Sequence, residues 1–358
     1  MAPSYSTSFD YDSNRRLEAR EDARSSEAGT IAIDVRFKRA LENLDFTIEP
    51  RYVFRRYSDS RYGNGDDRSV YGAFNWNTET TTLNVTASYW DQSTLVTEQF
   101  ETGIVSGNTH RRLTQAQASW TWAQTERRAL VAQISDSDTH YYGQDADRLP
   151  GYKYPSGSLG ERFNFSERGS FTLSAYGSKL LSDSPGNSSH SLGVQGEVVY
   201  AFSERTNLDA NLGRSRRNLA GSSSSGTDAS ITFSHSFPSS RVQLVYTRNL
   251  VPYGNGFLAQ REQYTATFTH SWSEAVDTTL SVFRIKNNET AVLLRIDRRS
   301  YDNATASINW RPTPTWAVSA QVSGVKTQTP QVFDEQTVKG YRGSIGLSWI
   351  PLPTVRSW

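Results

Sequence analysis

The chain has no cysteine, so it can hold no disulfide framework and no thiolate metal site, and covalent haem attachment and thiol catalysis are disfavoured. Long apolar runs are also missing. Apolar runs are short pieces such as Ala129–Ala132 and Ala291–Leu294, far from the roughly eighteen residues of a membrane helix. Charge of either sign is not in excess: the net formal charge is +1, which argues against nucleic acid as a partner. Lysine is scarce, and almost all of the basic residues are arginine, which stays charged and binds carboxylate or phosphate with two hydrogen bonds. Only 36% of residues are hydrophobic, yet 12% are aromatic and nine are tryptophan, a combination that disordered chains do not show. Met1-Ala2-Pro3-Ser4 lacks the basic start and apolar middle of a signal peptide. The sequence is therefore read as a mature domain behind an added methionine.

What is present is alternation. Ile31, Ile33, Val35 and Phe37 interleave with Ala32, Asp34, Arg36 and Lys38. Leu44, Phe46, Ile48, Tyr52 and Phe54 interleave with Asp45, Thr47, Glu49, Arg51 and Arg55, and Ala304, Ala306, Ile308 and Trp310 with Asn303, Thr305, Ser307 and Asn309. A period of two with one apolar face predicts strands. A barrel with an oily outside and a wet inside needs only every second strand residue to be apolar, which reconciles the low hydrophobic content with order.

The strands recur in a larger unit. Trp120-Thr-Trp122 runs through Thr125-Glu126-Arg127 into Leu130; Phe163-Asn-Phe165 runs through Ser166-Glu167-Arg168 into Phe171; Tyr200-Ala-Phe202 runs through Ser203-Glu204-Arg205 into Leu208. Short turns are placed near residues 41, 79, 126, 167, 204, 239, 274 and 313, with a ninth near 351. Units of about forty residues hold two membrane-length strands, a tight turn and a longer loop. The expectation is an all-β, antiparallel up-and-down transmembrane barrel of about eighteen strands, with sixteen or twenty as alternatives. It forms one domain over residues 1–358, with strands over 4–350 and a tail from 351 to 358. A soluble sandwich or propeller is the competing architecture, but its strands average nearer six residues and it would bury one face of each sheet.

Seven tryptophans lie beside the short turns: Trp76, Trp120, Trp122, Trp272, Trp310, Trp316 and Trp349. Indole favours the boundary between lipid and water, so these predict a membrane-interface girdle at the short-turn, periplasmic end. The longer connections are predicted over 10–29, 57–67, 92–110, 135–155, 181–188, 217–226, 251–260, 287–299 and 327–338, facing outward. The 135–155 segment gathers Asp136, Asp138, His140, Tyr141, Tyr142, Asp145 and Asp147, but at no calcium-loop spacing, so it is read as a solvated loop. The apolar Ala291–Leu294 is read as a strand extension above the membrane rather than an infolded constriction.

By alternation, Asp34, Arg36, Lys38, Glu49, Arg51, Arg55, Arg162 and Arg342 face the lumen, where such residues set selectivity or brace the wall as ion pairs. Other inward positions are hydroxyls and amides, which suits a neutral or weakly charged solute. Neither a catalytic nor a metal site is expected, and no cofactor: the five histidines form no recognisable motif with Ser or Asp.

The Ser/Thr-Glu-Arg turns after aromatic-ended strands, with the opening Tyr5-Ser-Thr-Ser-Phe9-Asp-Tyr11, resemble Gram-negative outer-membrane barrels encoded with exopolysaccharide pathways. That resemblance implies a wide channel passing a secreted polysaccharide, beside a periplasmic export partner. The alternatives are a general or solute-selective diffusion porin taking small hydrophilic solutes, and a barrel enzyme or adhesin. Outer-membrane lipid and lipopolysaccharide are expected around the barrel in each case.

Overall fold

The computed structural model describes residues 2–351, apart from 19–21, 63–64, 100–107, 145, 185, 220–221, 255, 289–299 and 331–334. Ribbons with one apolar and one polar face pair side by side, and the whole chain becomes one sheet. In order they are β1 (Ala2–Asp12), β2 (Ser26–Leu41), β3 (Leu44–Tyr57), β4 (Gly65–Asn77), β5 (Thr81–Ser93), β6 (Thr109–Ala123) and β7 (Arg128–Gly143). Next come β8 (Tyr152–Lys153), β9 (Ser156–Ser166), β10 (Gly169–Ser182), β11 (Ser189–Ser203), β12 (Thr206–Leu219) and β13 (Ser222–Ser236). The last are β14 (Ser240–Tyr253), β15 (Phe257–Ser271), β16 (Val276–Asn288), β17 (Ser300–Thr313), β18 (Trp316–Pro330) and β19 (Glu335–Trp349).

Neighbours in sequence pair antiparallel, and β19 returns to pair with β1 from Tyr5↔Trp349 to Asp12↔Arg342, which closes the wall. The two residues of β8 continue the line of β9 in the same register against β7, interrupted at Pro155. Counting β8 and β9 as one, eighteen strands make a closed antiparallel barrel. Following paired residues once around from Tyr5 through Ile33, Tyr52 and Arg68 returns to β1 about 22 residues away, a stagger that tilts the strands by about 40°.

Eight of the nine predicted short turns fall between strands; the one near 351 instead follows the last strand among the described residues. The Ser/Thr-Glu-Arg motif has a local cause. Ser166 Oγ accepts the Arg168 N–H at 3.2 Å, Ser203 Oγ accepts that of Arg205 at 3.2 Å, and Thr125 Oγ1 accepts that of Arg127 at 3.3 Å. The hydroxyl satisfies a backbone donor that the turn would leave free. The motif therefore belongs to turn geometry.

The outer connections depart from expectation. Residues 135–143 are not loop but the upper half of β7. The predicted loop 217–226 is almost entirely strand, since β12 runs to Leu219 and β13 begins at Ser222. The predicted loop 251–260 is the tip of a hairpin joining β14 to β15, and β18 and β19 likewise invade 327–338. Short and long connections thus do not alternate strictly. Above the lipid band both strand faces meet water, so the apolar alternation fades while the hydrogen-bond ladder continues. Ala291–Leu294 lies outside the described residues. β19 ends at Trp349, two residues before Pro351, and pairs with β1 to close the barrel without a further strand among the described residues.

Leu192 (68% exposed), Ile134 (66%) and Leu212 (65%) stand on the outer face. Covering a side chain of this size is worth about 1.5–3 kcal/mol, and dozens of such residues point outward, so their medium is lipid rather than water. No helix among the described residues is long and apolar enough to cross a membrane, and the crossing is made by strands. The buried apolar clusters are small and lie inside the barrel, toward the long-loop end.

Candidate constriction site

The register assigns every strand residue to a face. Ser4, Asp10, Asp12 and their cross-strand partners Asp34, Ala28 and Ser26 point inward, while Tyr5, Phe9 and Tyr11 are exposed on the outside. Carried around the wall, this places Asp34, Arg36, Lys38, Glu49, Arg51, Arg55, Arg162 and Arg342 on the lumen face. They do not meet in one place. Arg36 pairs with Glu49, and Arg51 with Asp34 at 3.4 Å, on the β2–β3 wall toward the short-turn end. Arg55 pairs with Asp67 at 3.0 Å and Arg342 with Asp12 at 2.7 Å, both near the long-loop end. Arg162 stands in a row with Thr172 and Glu197.

Three segments fold inward from the long-loop end, and none was predicted to. The first follows β1. Asn14 donates from its side-chain amide to the carbonyls of Glu18 (2.8 Å) and Lys339 (3.3 Å) and accepts the Glu18 N–H (3.0 Å), closing a tight loop. This loop sets Leu17, at φ 53°, against the inward faces of Ile285, Tyr301, Val325 and Val338.

The second follows β5. Ser93 caps a single helical turn, α1 (Thr94–Thr97), by accepting the Leu95 N–H at 3.3 Å. Glu98 behind it is fully buried, receives the Tyr141 hydroxyl at 2.9 Å, and lies 3.6 Å from Arg111. Gln99 then reaches segments four to five strands round the wall: its amide donates to the Arg15 carbonyl at 2.5 Å and accepts from Arg342 at 2.5 Å.

The third is the β14–β15 hairpin. β13 and β14 pair only from Ala229↔Arg248 to Ser236↔Arg241, although β13 remains bonded to β12 up to Ser222 and β14 to β15 up to Tyr253. The wall parts above Ala229, and the freed hairpin tip bends inward. Leu250 and Leu258 pack on Tyr152 and Leu180, and Tyr154 donates its hydroxyl to the Leu250 carbonyl at 3.4 Å. Gly256, at φ +79°, comes so close to Ser182 and Pro150 that a Cβ there would lie 2.4 Å from Ser182 Oγ. Arg217, buried on β12, ties the hairpin down by donating to Gln260 at 2.5 Å while bridging Asp228 at 2.6 Å.

Two wet cavities remain beside these segments. One of about 290 Å³ is lined by Asp12, Arg15, Arg55, Gln99, Gln321 and Arg342, among others. The other, of about 350 Å³, is lined by Gln133, Tyr176, Ser178, Gln195, Asn211 and Asp228 and further polar groups. Within both, arginine faces carboxylate at contact distance, so the constriction presents paired charge and many hydrogen-bonding groups. Tyr141 stands beyond the lipid band, since the outward residues of β7 past Ile134 are Asp136, Asp138 and His140. Burial, with the Glu98 carboxylate beside it, pushes its phenol well above the ordinary value of 10.0.

The predicted cluster within 135–155 is divided by the same alternation: Asp136, Asp138 and His140 face out and Tyr141 faces in. Asp138 is engaged by His140 at 2.8 Å and Lys153 at 3.2 Å. Ser93, Asp91 and His110 share the outer face of β5 and β6, but the Ser93 hydroxyl is taken by the Leu95 N–H. All seven girdle tryptophans lie on the outer face beside the short turns. Sequence reasoning missed Asp12, Arg15, Asp67, Glu98, Gln99, Arg217 and Gln260. Asp12 and Asp67 fell within predicted loops, although the alternation of their strands reaches them.

No family model matches the chain, and no curated protein sequence matches it. Solved structures do share the fold. The chain is similar to Pseudomonas aeruginosa OccK2 (OpdF) in complex with glucuronate, at 11% identity and a TM-score of 0.52, covering 98% of each chain. It is similar to Pseudomonas aeruginosa OpdQ at 10% identity and 0.50, covering 99% of each. Acinetobacter baumannii OccAB3 is alike at 9% identity and 0.50, over 98% of this chain and 99% of that one. With its lipid-facing apolar band and this shared architecture, the chain is a membrane-spanning antiparallel β-barrel with the fold of these proteins.

Proposed function

We propose that this barrel is a solute-selective diffusion channel for small hydrophilic molecules. One observation carries this reading: three segments from the long-loop end fold into the lumen, and each packs on strands several places round the wall from its own. A secreted polysaccharide needs a bore continuous enough for a chain of sugars, whereas a small solute needs only the gaps between such segments. The pairing of Arg342 with Asp12, Arg55 with Asp67 and Arg217 with Asp228 favours neutral, zwitterionic or weakly charged solutes over strongly charged ones. Arg342 and Arg55 are the selectivity residues proper in this reading. Asp34, Arg36, Lys38, Glu49, Arg51 and Arg162 line the wall below, bracing it and wetting the path. The seven tryptophans anchor the short-turn end in the lipid headgroups.

Liposome swelling with purified protein tests the proposal. Monosaccharides and sugar acids are expected to enter fast, trisaccharides at least tenfold more slowly, and dextran not at all. Dextran entry at the monosaccharide rate would return the export reading to first place.

A further inference from the structure

We infer that the outer face of β10–β12 is a binding site for a phosphorylated, multiply acylated glycolipid of the outer leaflet. Several cations on the barrel's outer face at the long-loop end have a carboxylate beside them. Arg56 has Asp66 at 2.8 Å, Lys153 has Asp138 at 3.2 Å, Arg284 has Asp302 at 3.3 Å and Arg248 has Glu262 at 3.8 Å. Lys179, Arg214 and Arg216 have none; Lys286, Lys326 and Lys339 also have none among the described residues, but only the first group carries guanidinium groups. All three of that first group are exposed, with no carboxylate within ion-pair distance among the described residues.

The register gathers them. Lys179 lies opposite His190, Leu192 opposite Arg216 and Val194 opposite Arg214, so four basic side chains cover one patch of three adjacent strands. They alternate with inward residues, Ser178 and Ser191 lining the lumen cavity and Ser215 bonded to Asp228 in its wall, which fixes them on the outside. Among the described residues the side chains of the three cations make one hydrogen bond, of 3.4 Å from Arg216 to Ser223.

Directly below them the wall is apolar and uncovered. Leu173, Leu192, Val194 and Leu212 are 58%, 68%, 60% and 65% exposed. Cations gathered without counter-charge repel one another unless an anion joins them, and guanidinium groups hold phosphate oxygens in pairs. An inorganic phosphate would use the cations alone. A lipid with phosphates on its sugar headgroup and several acyl chains uses both halves of the patch, phosphates above and chains on the leucine rows. Aliphatic stems of Lys179, Arg214 and Arg216 lie along that apolar surface while their heads reach upward.

The test measures retention of lipid A carrying two phosphates by the purified barrel in detergent, using native mass spectrometry. A triple variant, Lys179→Gln/Arg214→Gln/Arg216→Gln, is expected to bind at least tenfold more weakly, with unchanged single-channel conductance because the lumen is untouched. Removing paired cations instead, as Arg56→Gln/Arg284→Gln, should leave retention as it was. On the unaltered protein, lipid A stripped of its phosphates should bind at least tenfold more weakly, a comparison that holds even if the triple variant does not insert. Equal retention by the triple variant, equal loss in the paired-cation variant, equal binding of the stripped lipid, or displacement by equimolar inorganic pyrophosphate would each overturn the assignment.

Discussion

Arg342 sits where three parts of the chain meet. It pairs with Asp12 across the strands that close the barrel and donates to Gln99 of the infolded β5–β6 connection. Arg342→Gln leaves the Asp12 carboxylate, 3% exposed, without its cation. Breaking a fully buried pair costs about 3–5 kcal/mol, but a quarter of the Arg342 side chain is open to the wet lumen, so about 1–2 kcal/mol is expected here. The lone carboxylate should also shift the reversal potential in a potassium chloride gradient toward cations; no shift would remove Arg342 from the selectivity set. Glu98 is the second such residue, held by Tyr141 and Arg111. Glu98→Gln should release the segment and raise current noise. A phenol whose folded pKa lies above its unfolded value contributes stability below the unfolded value and loses it as pH climbs through the folded one. Noise in the unaltered channel should therefore stay flat from pH 7 to pH 9 and grow only in stronger alkali. Growth already at pH 8 would mean that Tyr141 does not hold the segment.

Among the elements, the β14–β15 hairpin depends on a glycine. Gly256 has a positive φ and no room for a side chain against Ser182 and Pro150. Gly256→Val is expected to push the tip out of the lumen and at least double single-channel conductance, with little effect on barrel stability, because the ladder below Arg248 is untouched. A conductance equal to that of the parent would show that the tip does not narrow the path. Such elements were only half legible in the sequence. Short turns were plain, because aromatic-ended strands meet hydroxyl-bearing turns and both signals are local. Leu83, Val85 and Ala87 could be assigned a face, since lipid on one side and water on the other imprint a period of two. Ser222–Ser225 could not, because past the lipid band neither face is apolar and a strand there reads like a loop. The infolding was hidden for another reason. Gln99 meets Arg342 across 243 positions, and Leu258 meets Leu180 on a strand several places round the wall, so no local pattern encodes either contact.

For the whole molecule, closure governs behaviour. With β1 bonded to β19 no sheet edge is left below the parting at Ala229, which satisfies the backbone in lipid and removes a template for aggregation there. The stagger around the wall fixes the strand tilt, so polarised infrared of oriented bilayers should give about 40° from the normal. A value near 20° would contradict the register. The parting of the wall above Ala229 and Arg248 has a consequence in time as well as in shape. Its upper hairpin already lacks ladder bonds to β13, so swinging it outward tears none of the barrel's seams and breaks only the contacts at its tip. A part attached in this way has two resting places rather than a continuum. Recorded one molecule at a time, the current should step between two fixed levels, like a latch.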